Sequence, residues 1–195
     1  MNRRIRNIIG DFYLVIMLLF LYLPIFTMIV LSFNESKSRT RWGGFTLRWY
    51  GELFSNATIM QALHNTLLIA FLSALIATVL GTAAAIGINA MKPTGRNLMI
   101  GLNNIPMLDA DIVTGISLML AFIAFRFSLG FHTVLISHIT FNVPYVLLSV
   151  LPKLKQTNRS AYEAAMDLGA TPRQAFFYTV FPDIVPGVLS GFLLA

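Results

Sequence analysis

Long uncharged apolar runs alternate with short polar segments along this chain, and the run lengths predict helices that cross a membrane rather than helices that cover a soluble core. Residues 12 to 33, from Phe12 through Pro24 to Phe33, carry no charge after Asp11. They meet the requirement of roughly 20 mostly apolar residues for one span. Residues 34 to 64 are mixed, with Glu35, Lys37, Arg39, Arg41, Arg48 and Glu52 around a Trp42-Gly43-Gly44 turn signal, and are expected to be an extramembrane loop. A second span is expected over 65–90, where Ala77, Gly81 and Ala85 recur every fourth residue and form a face that another helix can approach closely. Lys92-Pro93-Thr94-Gly95-Arg96 then predicts a tight turn.

The third run, Ile112 to Phe125, is too short by itself for a hydrocarbon core of about 30 Å. Extending it back to Leu98 brings Asn103, Asn104, Pro106, Asp109 and Asp111 to membrane depth, where exposed carboxylates are costly. A broken or cavity-lining helix over 98–125 is therefore expected. Residues 133–152 form a fourth span containing His138, Asn142 and a kink at Pro144. After a polar segment at 153–182, an apolar run from Ile184 reaches Ala195, which predicts an incomplete fifth span over 184–195. The expected fold is a single all-α, polytopic membrane helical bundle over 1–195, with five spans visible.

Composition supports a bilayer as the solvent: 56% of the 195 residues are hydrophobic and 11% charged, against roughly 25% charged in a soluble domain. The 14 Lys and Arg lie in short runs between apolar stretches, as topology signals rather than a nucleic-acid surface. Nine of them (Arg3, Arg4, Arg6, Lys92, Arg96, Lys153, Lys155, Arg159 and Arg173) fall on the N-terminal side of the membrane. Lys37, Arg39, Arg41 and Arg48 fall on the other, with Arg126 at its boundary. The N-terminus and the 153–182 loop are thus expected to be cytoplasmic. The basic start, Met1 to Gly10, resembles a signal peptide, but the apolar run after it is too long and lacks a small-residue cleavage site, so it reads as a retained span. The absence of cysteine excludes thiolate nucleophiles and cysteine-ligated metals.

The 153–182 segment carries more local structure signals than a connector needs. Ser160 precedes Glu163 at capping-box spacing, so a helix is expected from about Ala161. It runs through Glu163-Ala164-Ala165-Met166-Asp167-Leu168 to Gly169, a residue suited to the left-handed end of a helix. Thr171-Pro172 then starts a new helix whose Phe176, Phe177 and Val180 are more apolar than a solvated linker. The plainer alternative is an ordinary amphipathic loop helix with Glu163 and Asp167 on its solvated face.

These residues resemble the membrane-spanning subunits of binding-protein-dependent ABC importers, whose signature is Glu-Ala-Ala, three residues, Gly, nine residues and Ile-x-Leu-Pro. Glu163, Ala164, Ala165, Gly169 and Pro182 match it, while Thr179 and Phe181 replace the family's Ile and Leu. The resemblance implies a type I importer transmembrane fold and an ATPase-coupling surface made of Glu163, Ala164, Ala165, Asp167, Gly169, Ala170 and Pro172. It also implies a separate ATPase subunit that binds ATP, a second permease subunit, an extracytoplasmic binding protein, and a bacterial inner-membrane location. Consistent with this, no Gly-x-x-x-x-Gly-Lys-Ser/Thr loop is present, and no cofactor is expected on this chain. The stretches 42–50, 62–70 and 110–118 are similar to the spermidine/putrescine permease branch, although sister permeases for other small solutes share much of the pattern.

A flexible polycation favours carboxylates and aromatic faces along its path. Asp109 and Asp111 are the candidate pathway residues; each also fits a cap for the helix restarting after Pro106, and two residues apart they do not share a face. Trp42, Trp49 and Tyr50 fit either interfacial anchors or stacking on an amine. His64, His132 and His138 lack metal-site spacing, and His138 reads as a packing residue or a proton relay. An ion-coupled transporter using Asp109, Asp111 and His138 is the rival reading. A membrane enzyme finds no clustered acid–base pair or nucleophile motif.

Overall fold

In hydrocarbon a helix satisfies every backbone group within its own segment, and the apolar runs are accordingly helical. The computed structural model describes residues 3–38, 40–108 and 111–195, with side-chain surroundings from Asp11 onward except at Asp111. Its contacts divide into two units, Met1–Leu63 and His64–Ala195.

In the first unit, α1 (Arg3–Leu31) passes through Pro24 and is exposed around its circumference from Asp11 to Val30. The loop after it is not a loose connector. Asn34, 2% exposed, donates from Nδ2 to the carbonyls of Ser38 (3.1 Å) and Arg41 (2.8 Å). Its Oδ1 accepts from the amides of Gly43 (2.8 Å) and Ser36 (3.2 Å). An isolated antiparallel bridge joins Asn34 to Phe45, and the Phe33 and Phe45 rings stack at 5.3 Å. Gly44 makes this closure at φ 128°, a conformation that excludes most side chains. α2 (Arg48–Ser55) follows. Trp49 donates to the Asn34 carbonyl at 2.8 Å and lies under the chain's own Arg48 (4.6 Å) and Lys37 (5.9 Å), while Tyr50 bonds Ser32 at 2.7 Å. The amine-stacking reading of Trp49 thus competes with cations the chain already supplies.

α3 (Ala57–Ala90) begins eight residues before the expected position because Asn56 Oδ1 accepts from the amides of Thr58 (3.0 Å) and Ile59 (3.2 Å), and nothing in residues 57–64 breaks a helix. The second unit then continues with α4 (Pro93–Leu108), α5 (Asp111–Ala124) and α6 (Phe131–Gln156). The expected break in span three separates α4 from α5, whose axes differ by 103°. α6 remains helical through Pro144 and Pro152.

The core of this unit lies where α3, α6 and the last helix meet: Ala77, Ala85, Val146, Val150 and Ile184 are each 0% exposed. The small-residue face expected on α3 is the packing face, because a Cβ on Gly81 would lie 2.7 Å from Val146 Cβ. Asn142 donates to Ser73 at 3.3 Å inside this contact, so a polar pair at membrane depth satisfies itself across two helices. His138 is exposed on α6 and bonds its own helix at the Val134 carbonyl (2.9 Å).

Beyond α6 come α7 (Arg159–Asp167), α8 (Pro172–Ala175), a π-helical segment (Phe176–Val180) and α9 (Phe181–Leu194). The run from Pro172 to Leu194 is 23 residues long and apolar enough to cross a membrane. The membrane-length run therefore starts at Pro172 rather than at Ile184 as expected, and takes in residues 172–182 of the presumed loop. Among the described residues, four helices meet the requirements for crossing, five if α4 and α5 make one broken span, and no strand forms. The molecule is an all-α, polytopic membrane protein.

Candidate coupling surface

Two helix ends with complementary caps build the knuckle between α6 and α9. Asn158, in an extended conformation, accepts from the Ser160 amide at 2.9 Å and starts α7 at Arg159. The expected Ser160–Glu163 capping box does not form, because Asn158 is an equally good cap two residues earlier. Glu163 is then free to pair with Arg159 one turn back, at 3.3 Å.

Gly169 ends α7 as its sequence predicts. Its φ of 87° turns the chain into the left-handed region. Its amide bonds the Met166 carbonyl (2.9 Å), and that of Ala170 bonds Ala165 (3.1 Å), which together close the helix end. Thr171 caps α8 immediately afterwards: its amide and hydroxyl both donate to Gln174 Oε1, at 3.0 and 2.8 Å, with Pro172 in the first turn. Ala175, 0% exposed, anchors the second helix on the unit's interior.

Most of the expected coupling residues face outward. Glu163, Ala164, Asp167, Gly169 and Pro172 are exposed, whereas Ala165 and Ala170 are half-buried. All seven lie on one short, capped helix–turn–helix. Sequence pattern alone does not mark Leu168, which is 89% exposed beside Gly169, or Tyr178, which is 80% exposed on the π segment. The only sequence signal for Leu168 is its place before the helix-ending Gly169, and Tyr178 is not distinguished from the aromatic run around it.

The other expected residues are placed less fully. Asp109 lies outside the described residues; Asp111 opens α5, and its side chain lies outside them too. Around that break, buried Asn103 Nδ2, Asn104 Oδ1 and Thr114 Oγ1 have no hydrogen-bond partner. Among the described residues no three of His, Cys, Asp and Glu converge to hold a metal.

No protein-family model matches the chain. Individual proteins do. The chain is 39% identical over 183 residues to the putrescine transport system permease protein PotI of Escherichia coli (strain K12), covering 90% of this chain and 65% of that protein. It is 36% identical over 176 residues to the spermidine/putrescine transport system permease protein PotC of Haemophilus influenzae, covering 90% of this chain and 68% of that one. A PotC homolog of Mycoplasma genitalium is 28% identical over 210 residues, 100% of this chain and 73% of its own length. Thus the chain spans just under two thirds of the length of the PotI relative. Agreement at this level across most of the chain, over a fold of membrane-length helices, places it in the family of spermidine/putrescine transport system permease proteins.

Proposed function

We propose that this chain is a permease subunit of an ATP-driven importer that carries a polyamine across the bacterial cytoplasmic membrane, with its N-terminus on the cytoplasmic side. The observation that carries this reading is the knuckle at 158–175. It is rigidly capped, presents Glu163 and Leu168 outward, and its second helix opens the 23-residue membrane-length run from Pro172 through the π segment to Leu194. A push on such a knuckle is delivered to the span, whereas a flexible linker would absorb it. The pushing partner is an ATPase subunit that binds ATP; a second permease subunit and an extracytoplasmic polyamine-binding protein complete the assembly. The similarity to putrescine and spermidine/putrescine permease proteins supports the polyamine. Of Asp109 and Asp111, which do not share a helix face, one is the proposed pathway carboxylate, and the buried amides of Asn103 and Asn104 precede them in sequence.

The test is ATP-dependent uptake of labelled spermidine in membranes carrying the full-length natural protein and its co-encoded components, with and without Glu163→Ala. Loss of the exposed Arg159–Glu163 pair costs only about 0.3–0.5 kcal/mol, so the fold is expected to survive. Uptake is expected to collapse while spermidine still binds the external receptor. Uptake driven by a proton gradient without ATP would overturn the ATPase coupling, and transport of a different solute in place of spermidine would overturn the polyamine assignment.

A further inference from the structure

The end of α3, the start of α4, the end of α6 and the start of α7 meet around a cleft of about 820 Å³. Among the described residues, Arg96, Lys155 and Arg159 line it and no carboxylate does. Arg159 engages Glu163 through Nε. Arg96 and Lys155 have no salt-bridge partner among the described residues. Like charges gathered in a partly enclosed space raise the local potential and draw an anion.

The rest of the lining decides which anion. Beside the cations, Asn89, Thr157 and Asn158 add hydrogen-bonding groups, and Ile86, Leu154 and Phe176 make an apolar wall, at the ends of helices long enough to span the membrane. A free inorganic anion would leave that wall wet, and an acidic protein segment would not call for it. A molecule with a phosphate next to acyl chains satisfies both surfaces, and the volume falls within the usual range of about 300–1,000 Å³ for ligand sites. We propose that the cleft binds the headgroup phosphate of an anionic membrane phospholipid, with an acyl chain along the Ile86, Leu154 and Phe176 wall. This site does not depend on which solute is transported; Arg159 belongs to the knuckle as well as to the cleft, whereas Arg96 and Lys155 lie outside the knuckle.

Native mass spectrometry of the detergent-purified full-length protein tests it, with dioleoylphosphatidylglycerol and dioleoylphosphatidylcholine as probes. Phosphatidylglycerol is expected to bind more tightly, and Arg96→Gln with Lys155→Gln to weaken it by about tenfold or more, each cation near a surface contributing a factor of roughly five. Lys92→Gln, an exposed change outside the cleft, is expected to leave binding unchanged. Should the double variant fail to fold, Lys155→Gln alone is read against the same control, because Lys155 is exposed. Equal binding of the two lipids, or equal loss in Lys92→Gln, overturns the site. Inorganic phosphate displacing the lipid completely identifies a free anion instead, and retention of an acidic protein segment in place of lipid identifies a protein partner; either result overturns the proposal.

Discussion

Val146 fills the space left by two glycines. Cβ atoms built on Gly81 and Gly191 would lie 2.7 Å from Val146 Cβ and 3.1 Å from Val146 Cα, so the helices approach almost to backbone contact. A β-branched side chain is stiff at χ1, and Val146 Cβ has nowhere to swing. Gly81→Ala is therefore expected to destabilise, since overpacking costs about 1–3 kcal/mol against a gain of roughly 1 kcal/mol in helix propensity. Gly87→Ala, with nothing within 4 Å, is expected to be neutral or stabilising. Thermal unfolding of the two variants in detergent reads the difference, and a shift of the same sign and size in both would show that the close approach is unimportant. The spacing of Ala77, Gly81 and Ala85 made this face visible in sequence. Nothing comparable marked Asn34, whose side chain organises the loop from Ser36 to Gly43, because its four partners gather only after the chain has closed on itself.

The knuckle owes its shape at the scale of the element to its caps, and Gly169 is the most sensitive of them. Left-handed backbone costs an alanine about 1–2 kcal/mol, and asparagine tolerates it better. Gly169→Ala is expected to speed hydrogen exchange at the Ala170 amide, which bonds Ala165 at 3.1 Å, by about tenfold. Gly169→Asn should change it less, and equal protection in both variants would mean that the turn does not depend on this conformation. The π segment has a comparable local cause. Pro182 lacks an N–H, and in α geometry its ring would press on the Tyr178 carbonyl. The preceding turn widens instead, with the Phe181 amide reaching the Phe176 carbonyl. That adjustment keeps the helix continuous from the knuckle to Leu194, which apolar run length alone does not reveal.

For the whole molecule, the exposed apolar residues on the knuckle have a different meaning from those on the spans. Lipid covers the latter, but Leu168 stands 89% exposed at a helix end between Asp167 and the turn at Gly169. Burying such a side chain against a partner contributes about 1.5–3 kcal/mol. Leu168→Ser is accordingly expected to leave the thermal stability of the purified chain unchanged and to weaken co-purification of the ATPase subunit by about tenfold or more. Uptake should fall in parallel. Undiminished association and uptake would remove Leu168 from the coupling surface.

Hydrophobic run length, basic-residue placement and the Glu163-to-Pro182 spacing were sufficient to identify an all-α membrane protein of the permease family. These are one-dimensional properties: a bilayer selects by length and polarity, and a helix cap acts within a few residues. Even locally, competition hid the outcome, since Asn158 displaced Ser160 as the cap and Asn56 moved the start of α3 upstream. Tertiary structure alone decided which polar groups met. Asn142 found Ser73, separated by 69 residues, and Arg96 came to share a cleft with Lys155 and Arg159. In sequence those three cations were indistinguishable from topology signals, because only helix packing determines whether like charges at the ends of different spans disperse or converge.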